Sequence, residues 1–546
     1  MKMIYKGVLV FLSLFLWICL MPASALDLAK DGRSSYSIYI PANASPTVNN
    51  AANEFAKYFF KISGANLPVT TKFSGNNQIV VGDNVITGKY FPQFNAASLQ
   101  GDGTYLKSSK SLLFINGGNE RGVLNAVYSF FETYLNCRYY AHDLIVIPKQ
   151  ANVSIGVVNL SEVPVISYRS CNYGEALQAD YIAWNKISNL PNEHRQKRYK
   201  WGLWAHTFTI LVPPKKYFKV HPEYYGLINN KRNKNQLCLS RDGVVDVIVD
   251  TLRVMMAKNP DAKYWSVSAM DGNPDNCNCE LCTSYRAQNH NQSDLLVNFI
   301  NKIAAKFPNK VISTLAYQKT RTPPISVIPA KNVNIHFCAS NDDKLKPITS
   351  NPELMGDLNG WLKFTNNIIF RDYMIYYKCD CPFPNFPVLK PNLQAIAAKN
   401  IDMVYLEADA KMGLELEELR SYLLAKLMWN PSADAEAITD EFLKAYYHNG
   451  APFVKQYLNT LATYAKTGNR PLQNSARILT YSRVDDQAAY LNPLKTGIYS
   501  DILRKGIAAA SGDTAAQARI NRVLNTINNV TIKPPSRPSR KALLDD

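Results

Sequence analysis

Residues 367–407 begin Asn367-Ile368-Ile369-Phe370-Arg371-Asp372-Tyr373 and end Asp402-Met403-Val404-Tyr405-Leu406-Glu407. Both runs are short, rich in β-branched and aromatic residues, and polar at their last positions. Between them Pro391–Lys399 carries helical spacing. Strand, helix and strand in that order make a βαβ unit, which pairs its strands in parallel. The same alternation extends back to Pro164. The runs in order are Ile166–Asn172, Tyr199–Phe208, Gln236–Ser240, Tyr264–Ala269, Lys310–Tyr317 and Val333–Cys338, with helical patterns such as Val244–Ala257 and Asp294–Lys306 between them. Leu416–Met428 follows the last strand as another helix. Eight strands with intervening helices predict an α/β chain with a central (β/α)8 TIM barrel over residues 161–430.

The flanks read differently. Residues 26–160 predict a small α+β domain. Its strands are Ser37–Ile40, Gln78–Gly82 and Leu112–Ile115, and its helices are Asn49–Ile62 and Glu120–Tyr134. The second helix places Val123, Ala126, Val127, Phe130, Phe131 and Tyr134 on one face. Residues 431–529 are helical in pattern, and 530–546 read as a disordered tail.

At the start, Lys2 and Lys6 precede an apolar run from Gly7 to Met21, then Pro22 and the small residues Ala23-Ser24-Ala25. This predicts a cleaved signal peptide over residues 1–25. The run is about 15 residues long, short of the roughly 20 that span a bilayer. Cys19 follows Leu16-Trp17-Ile18, which are bulky for a lipidation site. The expected location is therefore exported: periplasmic, cell-surface or secreted, with no membrane span in the mature chain.

The net charge is +18. Its Lys and Arg are dispersed rather than clustered, and export removes nucleic acid as a partner. Ten cysteines occur, and six crowd together: Cys277, Cys279, Cys282, Cys338, Cys379 and Cys381. Walker, dinucleotide-binding, His-Glu-x-x-His and Gly-x-Ser-x-Gly motifs are missing from the sequence.

Barrel chemistry collects at the C-terminal ends of strands. That filter selects His206, Asp271, Tyr317, Asp372, Tyr373 and Glu407. Glu407 ends a run expected to be buried, where apolar surroundings suit a general acid. Asp271 ends the fourth strand, opposite the eighth, at a separation that suits paired carboxylates. Asp271-Gly272-Asn273-Pro274 is equally good turn chemistry. Asp372 and Tyr373 are candidates for binding a sugar hydroxyl or an N-acetyl group, and Trp204 with His206 for substrate contact. Cys277-x-Cys279-x-x-Cys282 resembles part of a zinc knuckle, with Cys238, Cys338, Cys379 or Cys381 as a fourth ligand. Disulfides among these loops are the competing reading in an exported chain; a structural clamp of either kind is expected, with zinc not favoured over disulfides. No catalytic metal or cofactor is expected. Asp380, between Cys379 and Cys381, is expected near the mouth.

Several of these motifs together resemble the bacterial exported family built on domain of unknown function 4838. They are Trp201-Gly202-Leu203-Trp204-Ala205-His206-Thr207-Phe208, Tyr217-Phe218 with His221-Pro222-Glu223-Tyr224, and Gln236-Leu237-Cys238-Leu239-Ser240. The Asp271–Cys282 loop, Leu315-Ala316-Tyr317, Arg371-Asp372-Tyr373, Pro384-Asn385-Phe386, Glu407, Glu418-Leu419-Arg420 and Trp429-Asn430-Pro431 continue the likeness to about residue 455. Arg121-Gly122 and Phe130–Arg138 are similar to the domain before the barrel in β-hexosaminidases and α-glucuronidases. The family overlaps glycoside hydrolase family 163.

The resemblance implies a retaining hydrolase of β-N-acetylglucosaminide linkages in complex glycans, with substrate assistance by the acetamide. It implies Glu407 as acid/base, Asp271 or Asp372 on the acetamide, and His206, Trp204, Tyr317, Tyr373 and Asn385 as substrate contacts. Arg371 stands where the family leads one to expect Trp, Ala408 where Gly is expected, and Asp271-Gly272 where hexosaminidases carry Asp-Glu. The alternatives are a non-catalytic glycan-binding protein on the same scaffold and an enzyme for acidic, uronic-acid glycans.

Overall fold

The computed structural model describes residues 26–189, 200–272, 276–340, 342–375, 381–410, 412–466 and 490–532. The expected signal peptide, most of the expected tail, Cys379 and Asp380 lie outside the described residues. The chain forms two compact units. One runs to Asn136 and adds Ile147–Glu162, and the other joins Cys137–Val146 to everything from Val163 onward.

In the first unit a six-stranded mixed sheet has Leu112–Gly117 and Gln78–Val81 at its centre. Both strands are wholly buried. Helix Pro46–Ser63 begins at Ser45, whose side chain accepts the Val48 N–H, and stops at Gly64 in the left-handed region. Helix Glu120–Tyr134 is capped by Asn119. The two helices meet through Phe55, Phe130 and Phe131, with ring centroids 5.0–5.2 Å apart.

The second unit is built on a parallel sheet. Its strands in chain order are β1 (Tyr168–Cys171), β2 (Trp201–Leu203), β5 (Tyr264–Ser266), β6 (Val311–Ala316), β7 (Val333–Cys338), β8 (Ile368–Tyr373) and β9 (Met403–Glu407). A separate antiparallel hairpin, β3 (Tyr225–Ile228) and β4 (Lys231–Leu237), lies between β2 and β5 in the chain. The sheet order is β1-β9-β8-β7-β6-β5-β2. Seven of the eight expected strands are therefore present. The expected third, Gln236–Ser240, is not in this sheet. Gln236 and Leu237 end hairpin strand β4, and Cys238 turns into a thiol cluster instead. A short run of apolar residues shows that a strand exists but not which sheet it joins. The second expected strand is also shorter: it ends at Leu203, and Phe208 begins a helix. On the outer edge of β1, the Ser188 N–H donates to the Arg169 carbonyl at 2.6 Å. The chain beyond residue 189 leaves the described residues there.

The sheet is strongly curled. Tyr168 sits on one edge strand and Trp201 on the other, and six interstrand steps of about 4.8 Å would hold them nearly 30 Å apart in a flat sheet. Their ring centroids are 6.4 Å apart. Aromatic side chains fill the space within: Trp201 stacks on Tyr264, and Trp204 meets Tyr405 edge-on at 4.9 Å. With Ile369 and Met403 they form one buried cluster, a packed interior rather than a pore.

Period-two alternation then sorts each strand. Ile369, Arg371 and Tyr373 of β8, and Met403, Tyr405 and Glu407 of β9, look inward. Phe370, Asp372, Val404 and Leu406 look outward, sharing a small gap with Leu389, Leu393 and Leu424. Those leucines lie on helices Phe386–Ala397 and Glu417–Trp429. The latter helix is buried almost all round. Beyond it the C-terminal helices form a further core through Leu419, Tyr422, Phe442, Tyr446 and Tyr457. Thr514–Ile532 is the last of these helices, so its final turn enters the segment expected to be disordered.

Connections between strands are anchored by polar contacts. Asp294, buried in the first turn of helix Gln292–Ala304, accepts the N–H groups of Asn291, Ile325, Ser326 and Val327 at 2.8–2.9 Å. Burial alone would raise its pKa, but these backbone donors outweigh it and lower it.

Candidate functional site

The inward-facing strand ends gather most of the expected residues. Tyr373 and Glu407 are register partners on β8 and β9. Leu315, Cys338, Tyr373 and Tyr317 form a cluster at the C-terminal ends of β6, β7 and β8. His206 and Tyr317 have ring centroids 6.3 Å apart, and His206 Nδ1 lies 2.6 Å from the Ala269 carbonyl. Trp204 lies deeper, against Trp201, His336 and Tyr405.

Glu407 is not in the apolar setting expected for it. The Arg371 guanidinium donates to Glu407 Oε2 through both Nε and Nη2. The two side chains are 10% and 16% exposed, so the pair is largely out of water. Arg371 also lies over the Tyr373 and Tyr405 rings, at 5.3 and 5.6 Å. In the sequence Arg371 stands out only as a departure from an expected Trp. The usable signal was its alternation: it shares a strand face with Ile369 and Tyr373, next to the strand that ends in Glu407.

Asp271 is exposed, and its carboxylate accepts the Gly272 N–H at 2.9 Å. Gly272 has φ 82°, so the tight-turn reading of this segment is realised. Asp271 also lies near the mouth. Burial pushes the Tyr317 phenol up to about 12, with the charge of Asp271 as the next contribution.

Asp372 does not join these residues. It faces the helix layer and pairs with Lys344, which also pairs with Asp342. All three side chains are at most 3% exposed. Burial pulls the Lys344 pKa down, but the two aspartate charges outweigh it and raise it. Asn385 is likewise absent from the mouth. It is buried and accepts a hydrogen bond from Arg420, which also pairs with Glu415 at 2.7 Å.

Beside the mouth, a solvent-open cleft of about 720 Å³ is bordered by Phe208, Gln236, Met270, Cys277, Leu315 and Tyr317. Cys277 at its border belongs to a group of four buried cysteines with Cys238, Cys279 and Cys282, whose sulfurs lie within 4.8 Å of one another. Cys238, immediately after β4, is the fourth member. Cys338 belongs instead to the Tyr373 cluster. Cys381 is disulfide-bonded.

A curled parallel sheet with a packed aromatic interior and acids at its strand ends is an α/β scaffold of half-barrel form. One solved structure shares the fold, and two others are similar at lower scores. A GH115 4-O-methyl-α-glucuronidase, BtGH115A, described as specific for decorated arabinogalactans, superposes with a TM-score of 0.51 at 11% identity, over 91% of this chain and 72% of that one. CpGH84D gives 0.48 at 9% identity over 93% and 86%. A β-N-acetylhexosaminidase from Bacteroides fragilis NCTC 9343 gives 0.42 at 12% over 76% and 91%. The chain belongs to the family described as Domain of unknown function (DUF4838), which matches residues 139–459. No curated protein matches the sequence. Among the described residues no helix is long and apolar enough to cross a membrane.

Proposed function

We propose that this chain is an exported glycoside hydrolase whose parallel strands close into a (β/α)8 barrel, and that Glu407 is its central carboxylate. The observation that carries the reading is the placement of Glu407: inward, at the C-terminal end of a strand, held by Arg371 beneath an aromatic mouth. Both Arg371 contacts fall on Oε2. Oε1 is left outside this pair, on a carboxylate whose charge Arg371 already balances. Such an oxygen suits a base, a nucleophile or a stabiliser of positive charge at C1. The proton for the leaving oxygen then falls to another group, and Asp271, on the loop after β5 and near enough for its charge to act on Tyr317, is the candidate.

The preference for β-N-acetylglucosaminides rests on the family resemblance. In that reading the substrate's acetamide oxygen attacks C1, and a carboxylate steadies the acetamide. Asp372, turned to the helix layer, does not serve there. Arg371 supports a second reading. A guanidinium at the mouth, in a chain of charge +18, suits an acidic glycan.

The test incubates the protein and Glu407→Gln with N-glycans, mucin-type glycans and uronic-acid glycans, with products read by mass spectrometry. Cleavage by the wild type and its loss in the variant support the assignment. Undiminished cleavage by the variant removes Glu407 from its role. Binding without any product makes the chain a glycan-binding protein on a glycosidase scaffold.

A further inference from the structure

We propose that Cys238, Cys277, Cys279 and Cys282 hold one zinc ion as a closed tetrathiolate centre, which staples the Asp271 loop to hairpin β3–β4. Zinc binding does not depend on the chain being a hydrolase.

The geometry is that of a metal cage. A tetrahedral zinc with bonds of about 2.3 Å separates its sulfurs by about 3.8 Å. Here Cys238 lies 3.5 Å from Cys279 and 3.7 Å from Cys282, and every pair of the four is within 4.8 Å. None of the four is disulfide-bonded. Two disulfides would require only two separate sulfur pairs at about 2.05 Å. They give no reason for all four sulfurs to converge on one buried point.

The surroundings are built for thiolates. The Leu227 N–H donates to Cys277 Sγ at 3.3 Å, and the Ser240 hydroxyl to Cys282 Sγ at 3.2 Å. Donors aimed at ligand sulfurs are the expected outer contacts of a metal–thiolate site. The Arg286 guanidinium donates to the Cys277 carbonyl at 3.0 Å, bringing positive charge beside the knot. Four sulfurs without a nitrogen or oxygen ligand select a soft, tetrahedral, structural ion, and leave no open position for catalysis. On binding, four thiol protons pass to solvent and no electron moves, leaving a centre of charge −2.

The three attachment points explain the purpose. Cys238 follows the hairpin, Cys277 and Cys279 lie on the loop after β5, and Cys282 is in the first turn of helix Glu280–Ala287. The Gln236 side chain bridges the same two loops, donating to the Met270 carbonyl at 2.6 Å and accepting its N–H at 3.3 Å. Met270 immediately precedes Asp271. A zinc at the knot would fix the loop that carries this acid from both sides.

The full chain, purified from zinc-supplemented medium without chelator, is assayed by elemental mass spectrometry, thiol alkylation and peptide mapping. The expected result is one equivalent of zinc and four thiols protected until the metal is stripped. Cobalt exchange should give thiolate charge-transfer absorption and tetrahedral d–d bands. Cys282→Ser should lose the metal, and Cys171→Ser, at a buried cysteine elsewhere, should keep it. If Cys282→Ser does not fold, the wild-type metal content and cobalt spectrum still decide. Stripping the metal should speed amide hydrogen exchange over residues 268–282 and leave β7 to β9 unchanged. Disulfide-linked peptides joining these four cysteines, or four reactive thiols in a zinc-free folded chain, overturn the proposal.

Discussion

Arg371 and Glu407 stand on neighbouring parallel strands, and two guanidinium nitrogens of one grip a single carboxylate oxygen of the other. Removing one partner of a largely buried pair strands the other charge, at a cost of about 3–5 kcal/mol. Arg371→Met is therefore expected to lower the denaturant midpoint strongly. Glu407→Gln should cost less, because the amide oxygen still accepts from Arg371. The double variant should recover much of the Arg371→Met loss, since no unpaired charge remains. Additive losses in the double variant would show that the two side chains are not energetically coupled.

Glu407 and Asp372 should separate chemistry from stability. Glu407→Gln is expected to reduce product formation by about 100-fold or more, within the usual range for a positioned acid or base. Asp372→Asn leaves Lys344 with Asp342 alone in a buried triad, so its expected effect is a lower melting midpoint with turnover per folded molecule unchanged. Calorimetry and initial rates on both variants decide this. Loss of turnover in Asp372→Asn at unchanged stability would place Asp372 in the chemistry after all.

Much of the parallel sheet was legible because strand length and β-branched content are local properties. The run ending in Glu407 and the run ending in Asp372-Tyr373 could each be recognised alone. Which face each residue takes follows from alternation, which puts Asp372 and Tyr373, as adjacent strand residues, on opposite faces. Hairpin β3–β4 was not legible, because Gln236–Ser240 has the composition of a sheet strand and its partner is chosen by tertiary contacts. The cysteine cluster was half legible: the spacing Cys277-x-Cys279-x-x-Cys282 is local, whereas Cys238 is brought to it only by the fold. Arg420 and Asn385 are far apart in sequence, and nothing local announces that one is buried to hold the other.

Tyr317 offers a test of the mouth with little risk to the fold. Tyr317→Phe keeps the ring against His206 and the Leu315, Cys338 and Tyr373 cluster, and removes only the hydroxyl. A neutral hydrogen bond contributes about 0.5–1.5 kcal/mol. If the hydroxyl contacts substrate, KM for the cleaved glycan should rise about three- to tenfold at an unchanged melting midpoint. A lowered midpoint with unchanged KM would assign Tyr317 to packing.

Glu417 makes the stability of the second unit depend on pH in a direction opposite to the usual carboxylate. It lies fully buried in the first turn of helix Glu417–Trp429, and the Leu414 N–H donates to its Oε2 at 3.2 Å. Burial pushes its pKa from 4.5 up to about 9, and the charge of Glu418 adds to the effect. Between those values the folded chain holds a proton that the unfolded chain has released. Folding stability therefore falls as pH rises through this window, by at most about 1.4 kcal/mol per pH unit. Below about 4.5 the group contributes fully, and above about 9 both states are ionised and the contribution is gone. Glu417→Gln fixes the neutral form at nearly the same volume. The variant should match the wild type near pH 5 and exceed its unfolding midpoint increasingly toward pH 8. Other groups titrate in this range as well, so the quantity to measure is the difference between the two midpoints at each pH. A difference that stays constant from pH 5 to pH 8 would mean that Glu417 is already ionised in the folded chain.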